Sequence, residues 1–321
     1  MIVQVAKMLA DAQSVLVVSH RDPDGDALGS SLGLMHLLRA AGKKVFAHSE
    51  GPLPEEYLFL PGMGDMTKGL PPAEEIDLAV VLDCHQPERT GPAASDLLRR
   101  LPLKAVVDHH QGQADFGQAA WVDPSYAATS EMLVFLARRA GLPLDPQAAT
   151  CFFVGVQTDT GSFRYSNTTP RLLRVAADLV QAGAEPWRIS QEVYATRPKR
   201  LRLLGRVLES LTLEAHGRLA VAQATLADLK AVGCGPDDLE EAVENLRGIP
   251  GVEVGMLLRE MAEGGVRISL RARGNLDVAQ IALSLGGGGH RNAAGLRLAD
   301  DLAECRRKLT ELIAARLEGV A

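Results

Sequence analysis

The chain has 321 residues, 46% of them apolar and 23% charged, which excludes a disordered tail protein and leaves room for two domains of ordinary size. The formal charge is −6 and the sequence pI is about 5.8, whereas a protein that coats long nucleic acid is usually basic. A polyanionic substrate would have to be met by a local device, such as metal ions or a few arginines.

No apolar run reaches the roughly 18 residues of a membrane span. The N-terminus MIVQVAKMLADAQ is broken by Lys7 and Asp11 and carries no small-residue cleavage site. Neither a membrane anchor nor a secretory leader is expected, and a cytoplasmic location is. Cys84, Cys151, Cys234 and Cys305 are scattered with no C-x-x-C pair, which predicts free thiols in a reducing compartment.

In chain order, 15–19 (VLVVS) reads as a strand, and a helix follows from about Asp26 to Ala41 with Gly42 as its stop. Further strands are predicted at 43–47, 78–82, 104–107 and 151–157. Short apolar runs separated by helices predict a parallel sheet buried on both faces. No G-x-G-x-x-G follows the first strand, which argues against a dinucleotide fold. Segments 171–182, 186–194 and 199–213 read as successive helices. Within them RPKRLRLLGR (197–206) carries five positive charges, read as a solvated helix face in preference to a cationic wall beside a cleft.

The last third changes character. GRLAVAQATL (217–226) reads as a strand and LEEAVENLRG (239–248) as a helix. VEVGMLLREM and GVRISLRARG form a predicted hairpin around Glu263-Gly264. A helix at 276–285 leads into four glycines, and a final helix covers 301–318. The predicted class is α/β, with a mostly parallel N-terminal sheet domain over 1–185, a helical linker over 186–213 and a smaller α/β domain over 214–321.

The ends of the apolar runs carry the chemistry. The first ends in His20, Asp22, Asp24 and Asp26, the third in Asp83, the fourth in Asp108, His109 and His110, and the fifth in Asp159. Ligands of open α/β sheets bind beyond the carboxyl ends of the strands. Four strands are therefore expected to deliver carboxylate or imidazole to one place. Singly, each has an ordinary explanation: a surface turn for D-x-D, a helix cap for Asp83, a structural pair for His109-His110, a turn for Asp159. Their recurrence at four strand ends points to a site.

Aspartates packed that closely repel unless compensated, and divalent cations are the natural compensation. A carboxylate–imidazole set without thiolate suits manganese, iron or zinc better than calcium, with manganese first. Five or six ligands exceed the need of one ion, so two divalent ions about 3.5–4 Å apart with one shared carboxylate are expected.

SHRDPDGDALGSSLGL, VVLDCHQPERTG, VVDHHQ and GVQTDTGSFRYSNTTP resemble the four motifs of the DHH phosphoesterase superfamily. GGGGHRNAAG resembles the glycine-rich signature of the DHHA1 domain that accompanies it. Size and layout are similar to the bacterial nano-RNase (NrnA-like) group, oligoribonucleases that also remove the 3′-phosphate of 3′-phosphoadenosine 5′-phosphate (pAp). The resemblance implies that His20, Asp24 and Asp83 hold one metal, and Asp26, Asp83, His109 and Asp159 the other. It implies that Asp83 bridges, that His110 contacts the scissile phosphate as a catalytic group, and that Asp108 orients the histidines from behind. Asp22 matches no ligand position and reads as a surface residue or a support behind the ligands.

A glycine run such as 286–289 is ordinarily a flexible loop, but successive glycine amides can also form an anion nest. Gly287, Gly288, Gly289, His290 and Arg271 are the candidate phosphate-binding residues, the last two by the same resemblance. Arg164 is a further candidate, with a structural ion pair as its other reading.

The implied activity is two-metal hydrolysis of short RNA or DNA oligonucleotides and of pAp, with the smaller domain closing over the cleft about a hinge near 183–213. A stand-alone cyclic or linear dinucleotide phosphodiesterase would use the same metal site. A non-catalytic RNA- or nucleotide-binding module is the alternative of another class, and it would tolerate loss of metal ligands. No membrane partner is expected, and a homodimer is the oligomer expected on general grounds.

Overall fold

A computed structural model describes residues 1–66, 69–239 and 242–319, with the side chains at 236, 237 and 290 outside the description. The chain forms two compact units, Met1–Ala195 and Thr196–Ala321.

In the first unit α1 (Ile2–Asp11) leads into β1 (Ser14–Val18), α2 (Gly25–Ala40) and β2 (Lys44–His48). Then come β3 (Leu78–Leu82), α3 (Pro92–Arg100), β4 (Lys104–Asp108) and β5 (Ala119–Val122). The unit ends with α4 (Thr129–Ala140), α5 (Pro146–Asp159), α6 (Pro170–Gln181) and α7 (Pro186–Val193). The five strands are all parallel, in the order β2-β1-β3-β4-β5. Every residue of β1 and β3 is buried, as expected of central strands covered on both faces. One face packs Leu28, Leu32, Met132, Phe152 and Val156; the other packs Ala94, Leu97 and Leu98.

Register positions the site. Val18 pairs with Val81, and Leu82 with Val107, so β1, β3 and β4 release the chain at one edge of the sheet. Asp83 follows at once with φ 60, a left-handed conformation uncommon for a non-glycine residue and enriched at functional positions.

The segment expected as a fifth strand, 151–157, is instead the middle of helix α5. Asp145 caps that helix, accepting from the Ala148 amide at 2.7 Å, and Pro146 opens it. CFFVGVQ is apolar on every side because the helix is buried on every side, and periodicity cannot separate such a run from a buried strand. The fifth strand is β5, which the sequence reading did not mark. Asp159 therefore comes from the end of a helix.

Close approach of α5 to α2 depends on glycine. A Cβ at Gly29 would lie 2.4 Å from the Cys151 carbonyl oxygen, and one at Gly155 would lie 2.1 Å from Ser130 Oγ and 2.4 Å from Asp26 Oδ1. Without side chains at these positions the two helices can pack backbone to backbone.

The second unit begins with α8 (Pro198–Glu209), β6 (Thr212–Glu214), β7 (Leu219–Ala224), α9 (Leu226–Val232) and α10 (Ala242–Arg247). It continues with β8 (Val254–Glu260), β9 (Val266–Ala272), α11 (Val278–Ser284), β10 (Gly288–His290), β11 (Ala293–Leu298) and α12 (Leu302–Glu318). Its sheet order is β10-β11-β9-β8-β7-β6, antiparallel except between β7 and β8. Ile281, Leu309 and Ile313 cover one face, and Leu203, Val243 and Leu246 cover the other. The expected hairpin is β8–β9. The helix expected over 199–213 stops at Glu209, and 212–214 turns into an edge strand.

The basic stretch 197–206 is tied to acids of its own unit: Arg200 reaches Asp238 at 2.6 Å, Lys199 the same carboxylate at 3.3 Å, and Arg206 reaches Asp228 at 3.4 Å. Among the described residues no helix is long and apolar enough to cross a membrane.

Candidate metal centre

At the carboxyl edge of the first sheet the structure brings together His20, Asp24, Asp26, Asp83, His109, His110 and Asp159. Three sets have ligand atoms within 4.8 Å of one another: His20–Asp24–Asp83, Asp26–His109–Asp159, and Asp83–His109–His110. His20 Nε2 lies 3.5 Å from Asp83 Oδ2 and 3.8 Å from Asp24 Oδ1. His109 Nε2 lies 3.1 Å from Asp159 Oδ2, 3.5 Å from Asp83 Oδ1 and 4.0 Å from Asp26 Oδ2. Asp83 thus touches both groups.

Four of the candidate ligands, His20, Asp24, Asp26 and Asp83, are held from behind. His20 Nδ1 donates to the Arg21 carbonyl at 2.9 Å, which directs Nε2 at the carboxylates. Asp24 caps α2, accepting from the Asp26 and Ala27 amides. Asp26, fully buried, accepts from the first amides of α4: Thr129 at 2.5 Å and Ser130 at 2.9 Å. The Thr129 hydroxyl donates to Asp83 Oδ1 at 2.9 Å.

The field of the cluster is that of an acidic site short of cations. Burial raises the Asp26 carboxyl well above its ordinary range, and the charges of Asp83 and Asp159 add to this. Asp159 is pushed up to about 6 by burial and by Asp24 and Asp83, against the pull of His109. Burial would lower His20, but its bond to Asp83 and the charge of Asp24 outweigh this and raise it to about 9. His109 is raised for the same reason by Asp159, Asp83 and Asp26. Asp83 is held low, against burial, by His20, His109 and His110. Protons are thus retained among close carboxylates, and a divalent cation would replace them. Oxygen and imidazole donors in this mixture fit manganese, iron or zinc.

Behind the ligands, Asp108 is fully buried and shared between two imidazoles: Oδ1 lies 2.8 Å from His110 Nδ1 and Oδ2 lies 2.5 Å from His85 Nδ1. The His110 amide also donates to Oδ1. These contacts hold Asp108 well below the usual carboxylate range despite burial. His85, two residues after Asp83 in LDCHQ, was not singled out from the sequence; the available signal was a third imidazole in a metal motif. Asp22 is exposed and pairs with Arg21 at 3.7 Å, outside the cluster.

The substrate-binding candidates fall into different places. Arg164 lies in the first unit on the loop after Asp159, where its Nε donates to the Gly161 carbonyl at 2.6 Å. Arg271 and Gly289 lie in the second unit, on the wall of a cavity of about 290 Å³ also lined by Arg259, Arg267, Ser269 and Gly295. Arg271 Nε donates to Glu244 at 2.8 Å. Gly288 and Gly289 belong to strand β10, not to a loop. Gly287 and Gly289 are tight-packing positions, where a Cβ would lie 2.4 Å from the Gly295 carbonyl and 2.5 Å from that of Ala293. The side chain of His290 lies outside the described residues. Arg259 and Arg267, not singled out from the sequence, sit inside the two strands of the expected hairpin.

A parallel α/β sheet whose carboxyl edge collects carboxylate and imidazole in interlocking sets is the arrangement of a candidate metal centre. The chain belongs to the DHH family: the DHH family N-terminal domain matches residues 14–156, and the DHHA1 domain matches residues 216–319. It is 34% identical over 98% of its length to the bifunctional oligoribonuclease and PAP phosphatase NrnA of Thermus thermophilus, covering 93% of that protein. It is 28% identical over 96% of its length to the protein of the same name from Mycoplasma genitalium, covering 98% of it. Among solved structures, an exopolyphosphatase-related protein from Bacteroides fragilis superposes with a TM-score of 0.92 at 29% identity, over 99% of this chain and 97% of that one.

Proposed function

We propose that this chain is a metal-dependent phosphoesterase that hydrolyses short oligonucleotides to mononucleotides and pAp to AMP and phosphate. The observation that carries the reading is the pair of ligand sets, His20–Asp24–Asp83 and Asp26–His109–Asp159, joined by the 3.5 Å approach of His109 to Asp83. Similarity along nearly the whole chain to proteins named for this activity supports it.

In this reading His20, Asp24 and Asp83 hold one cation, and Asp26, Asp83, His109 and Asp159 hold the other, with manganese the proposed ion. Two such ions would supply an activated water and neutralise charge on the phosphoryl oxygens. The protein's own part is positioning. Asp108 fixes His110 through Nδ1, so that its other nitrogen can serve a phosphoryl oxygen. The amides of α4 and the Thr129 hydroxyl keep Asp26 and Asp83 in place. In the second unit, Arg271 with Glu244 holding its Nε offers an oriented guanidinium for a distal phosphate. Gly289 lines the same cavity as Arg271; Gly287, Gly288 and His290 are the further proposed substrate contacts of this unit, and Arg164 is the candidate in the first unit.

The test is a substrate panel with manganese and with excess chelator: 5′-phosphorylated RNA and DNA of graded length, pAp, pyrophosphate and cyclic di-AMP. Chelator-sensitive release of mononucleotide from the shortest oligomers is expected, with pAp also cleaved. Turnover of pyrophosphate or cyclic dinucleotide alone would overturn the substrate assignment. Tight binding without turnover would make the chain a binding module. Full activity of Asp83→Ala with added manganese would overturn the shared-ligand assignment.

A further inference from the structure

The chain has four tyrosines, and three of them, from distant segments, lie around the end of α5 that carries Asp159. Tyr57 ends a short 3-10 turn, Glu55–Tyr57, and its ring packs against the core of the first unit. Burial raises its hydroxyl above the ordinary phenol range, and Asp24, Tyr194 and Asp159 are among the charges that add to this. Helix α7 packs on that turn and ends at Tyr194, whose hydroxyl accepts from Ser162 Oγ at 2.8 Å. Tyr165 lies over Gly161, two residues after Asp159: a Cβ there would stand 2.3 Å from the ring. Tyr165 is 37% exposed and Tyr194 41%, so each ring is half seated and half open.

The backbone between them is strained in a way that serves this arrangement. Gly161, Ser162 and Phe163 are three successive left-handed residues, with φ of 53, 58 and 63. Two of these are not glycine, and such strain persists only where the surroundings impose it. Here Thr160 Oγ1 accepts from the Phe163 amide at 3.1 Å, and Asn167 Nδ2 donates to the Asp159 carbonyl at 3.0 Å. Phe163 is seated against Phe153 of α5, with ring centroids 6.0 Å apart. The turn thus places Ser162 at Tyr194 and Gly161 under Tyr165, directly after a metal-ligand candidate.

We propose that Tyr165 and Tyr194, backed by Tyr57, form a stacking subsite for the nucleobase of one nucleotide flanking the scissile phosphate. The inference rests on the phosphoesterase reading above and adds a base-recognition element to the catalytic unit. Half-exposed aromatic rings beside a phosphate-hydrolysing centre offer what any base has, a π-face, so recognition here is tolerant of sequence. The Tyr194 hydroxyl, which accepts from Ser162, contributes no base-specific code.

The experiment uses the full-length, manganese-loaded enzyme. kcat and KM are measured for wild type, Tyr165→Leu, Tyr194→Leu, Tyr165→Phe and Tyr194→Phe. The substrates are a 5′-phosphorylated diadenosine and the same molecule made abasic at either position. The leucine variants are expected to raise KM for diadenosine about tenfold, the effect of losing about 1.4 kcal/mol of stacking, with kcat within about twofold. The phenylalanine variants retain wild-type KM, which separates loss of the ring from loss of the fold. For one of the two abasic substrates the leucine variants should match wild type, and that substrate identifies the stacked base. Equal KM for wild type and both leucine variants overturns the subsite. So does an equal rise in KM on all three substrates. If wild type turns over no nucleotide, the phosphoesterase reading fails and takes this one with it; if wild type is active and the variants are indistinguishable from it, only the subsite fails.

Discussion

The Thr129 amide donates to Asp26 Oδ2 at 2.5 Å across 103 residues of chain, and the Thr129 hydroxyl donates to Asp83 Oδ1. One residue at the start of α4 therefore holds two carboxylates that belong to different ligand sets. Helix N-terminal amides suit a carboxylate that must stay in place while its charge is shared with cations.

Thr129→Ala removes the hydroxyl and keeps the amide. Metal affinity or activity should fall about 10- to 100-fold, the usual effect of losing a partner behind a metal ligand. Thr129→Ser should restore most of it. A manganese titration of activity for the three proteins checks this, and an alanine variant indistinguishable from wild type would show that the hydroxyl contributes nothing.

His85 and His110 share Asp108, so removing His85 leaves a buried carboxylate with one imidazole fewer. His85→Ala should destabilise the protein by about 1–3 kcal/mol, the cost of an unsatisfied buried acceptor. It should also lower kcat with little change in KM, because His110 loses its fixed support. Urea unfolding and steady-state kinetics measure the two effects separately; a drop in KM with kcat intact would contradict the positioning role.

Metal-free stability should fall as pH rises across the whole range from about 4 to about 9. Asp26 and Asp159 are raised above their unfolded values, Asp159 to about 6, so the native state keeps protons that the unfolded chain has lost; stability declines as pH rises through that interval. His20, raised to about 9, and His109 stabilise fully below the unfolded histidine value and lose that contribution as pH rises through their folded values. Asp83 and Asp108 are lowered, and act in the opposite sense only in more acidic solution. Thermal melts in chelator from pH 5 to pH 9 should show the decline, and saturating manganese should flatten it. A rising melting temperature in chelator over that range would refute the charge balance described for the cluster.

Gly155→Ala would drive a methyl group into Ser130 Oγ and Asp26 Oδ1. Overpacking of this kind costs about 1–3 kcal/mol, and here it also displaces a ligand. Reduced stability and reduced manganese affinity should appear together. A variant as stable as wild type that binds manganese normally would mean that α2 and α5 can separate without disturbing Asp26.

Most of the candidate cluster was legible because its signals are local. His20, Asp83 and His109 each follow a short valine-rich run, and a strand end places its next residue at the sheet edge whatever the rest of the fold does. Asp159 was expected at the same place but for the wrong reason, since 151–157 is helical. A segment buried on all sides has no amphipathic period, so its composition is the same for a buried strand and a buried helix. The glycine run at 286–289 suggests a flexible loop or an anion nest, whereas Gly288 and Gly289 pair in an edge strand and Gly287 and Gly289 are the positions where a Cβ would clash.

The sequence by itself determined the α/β class, the family resemblance and the residue types of the cluster. These depend on composition, spacing and the few residues next to each element's end. Tertiary structure alone decided which groups support the ligands. His85 behind Asp108, Thr129 between Asp26 and Asp83, and the tyrosines at 57, 165 and 194 are joined by packing between distant segments. Such contacts leave no periodicity in the chain, because they arise only when helices and strands meet at van der Waals distance.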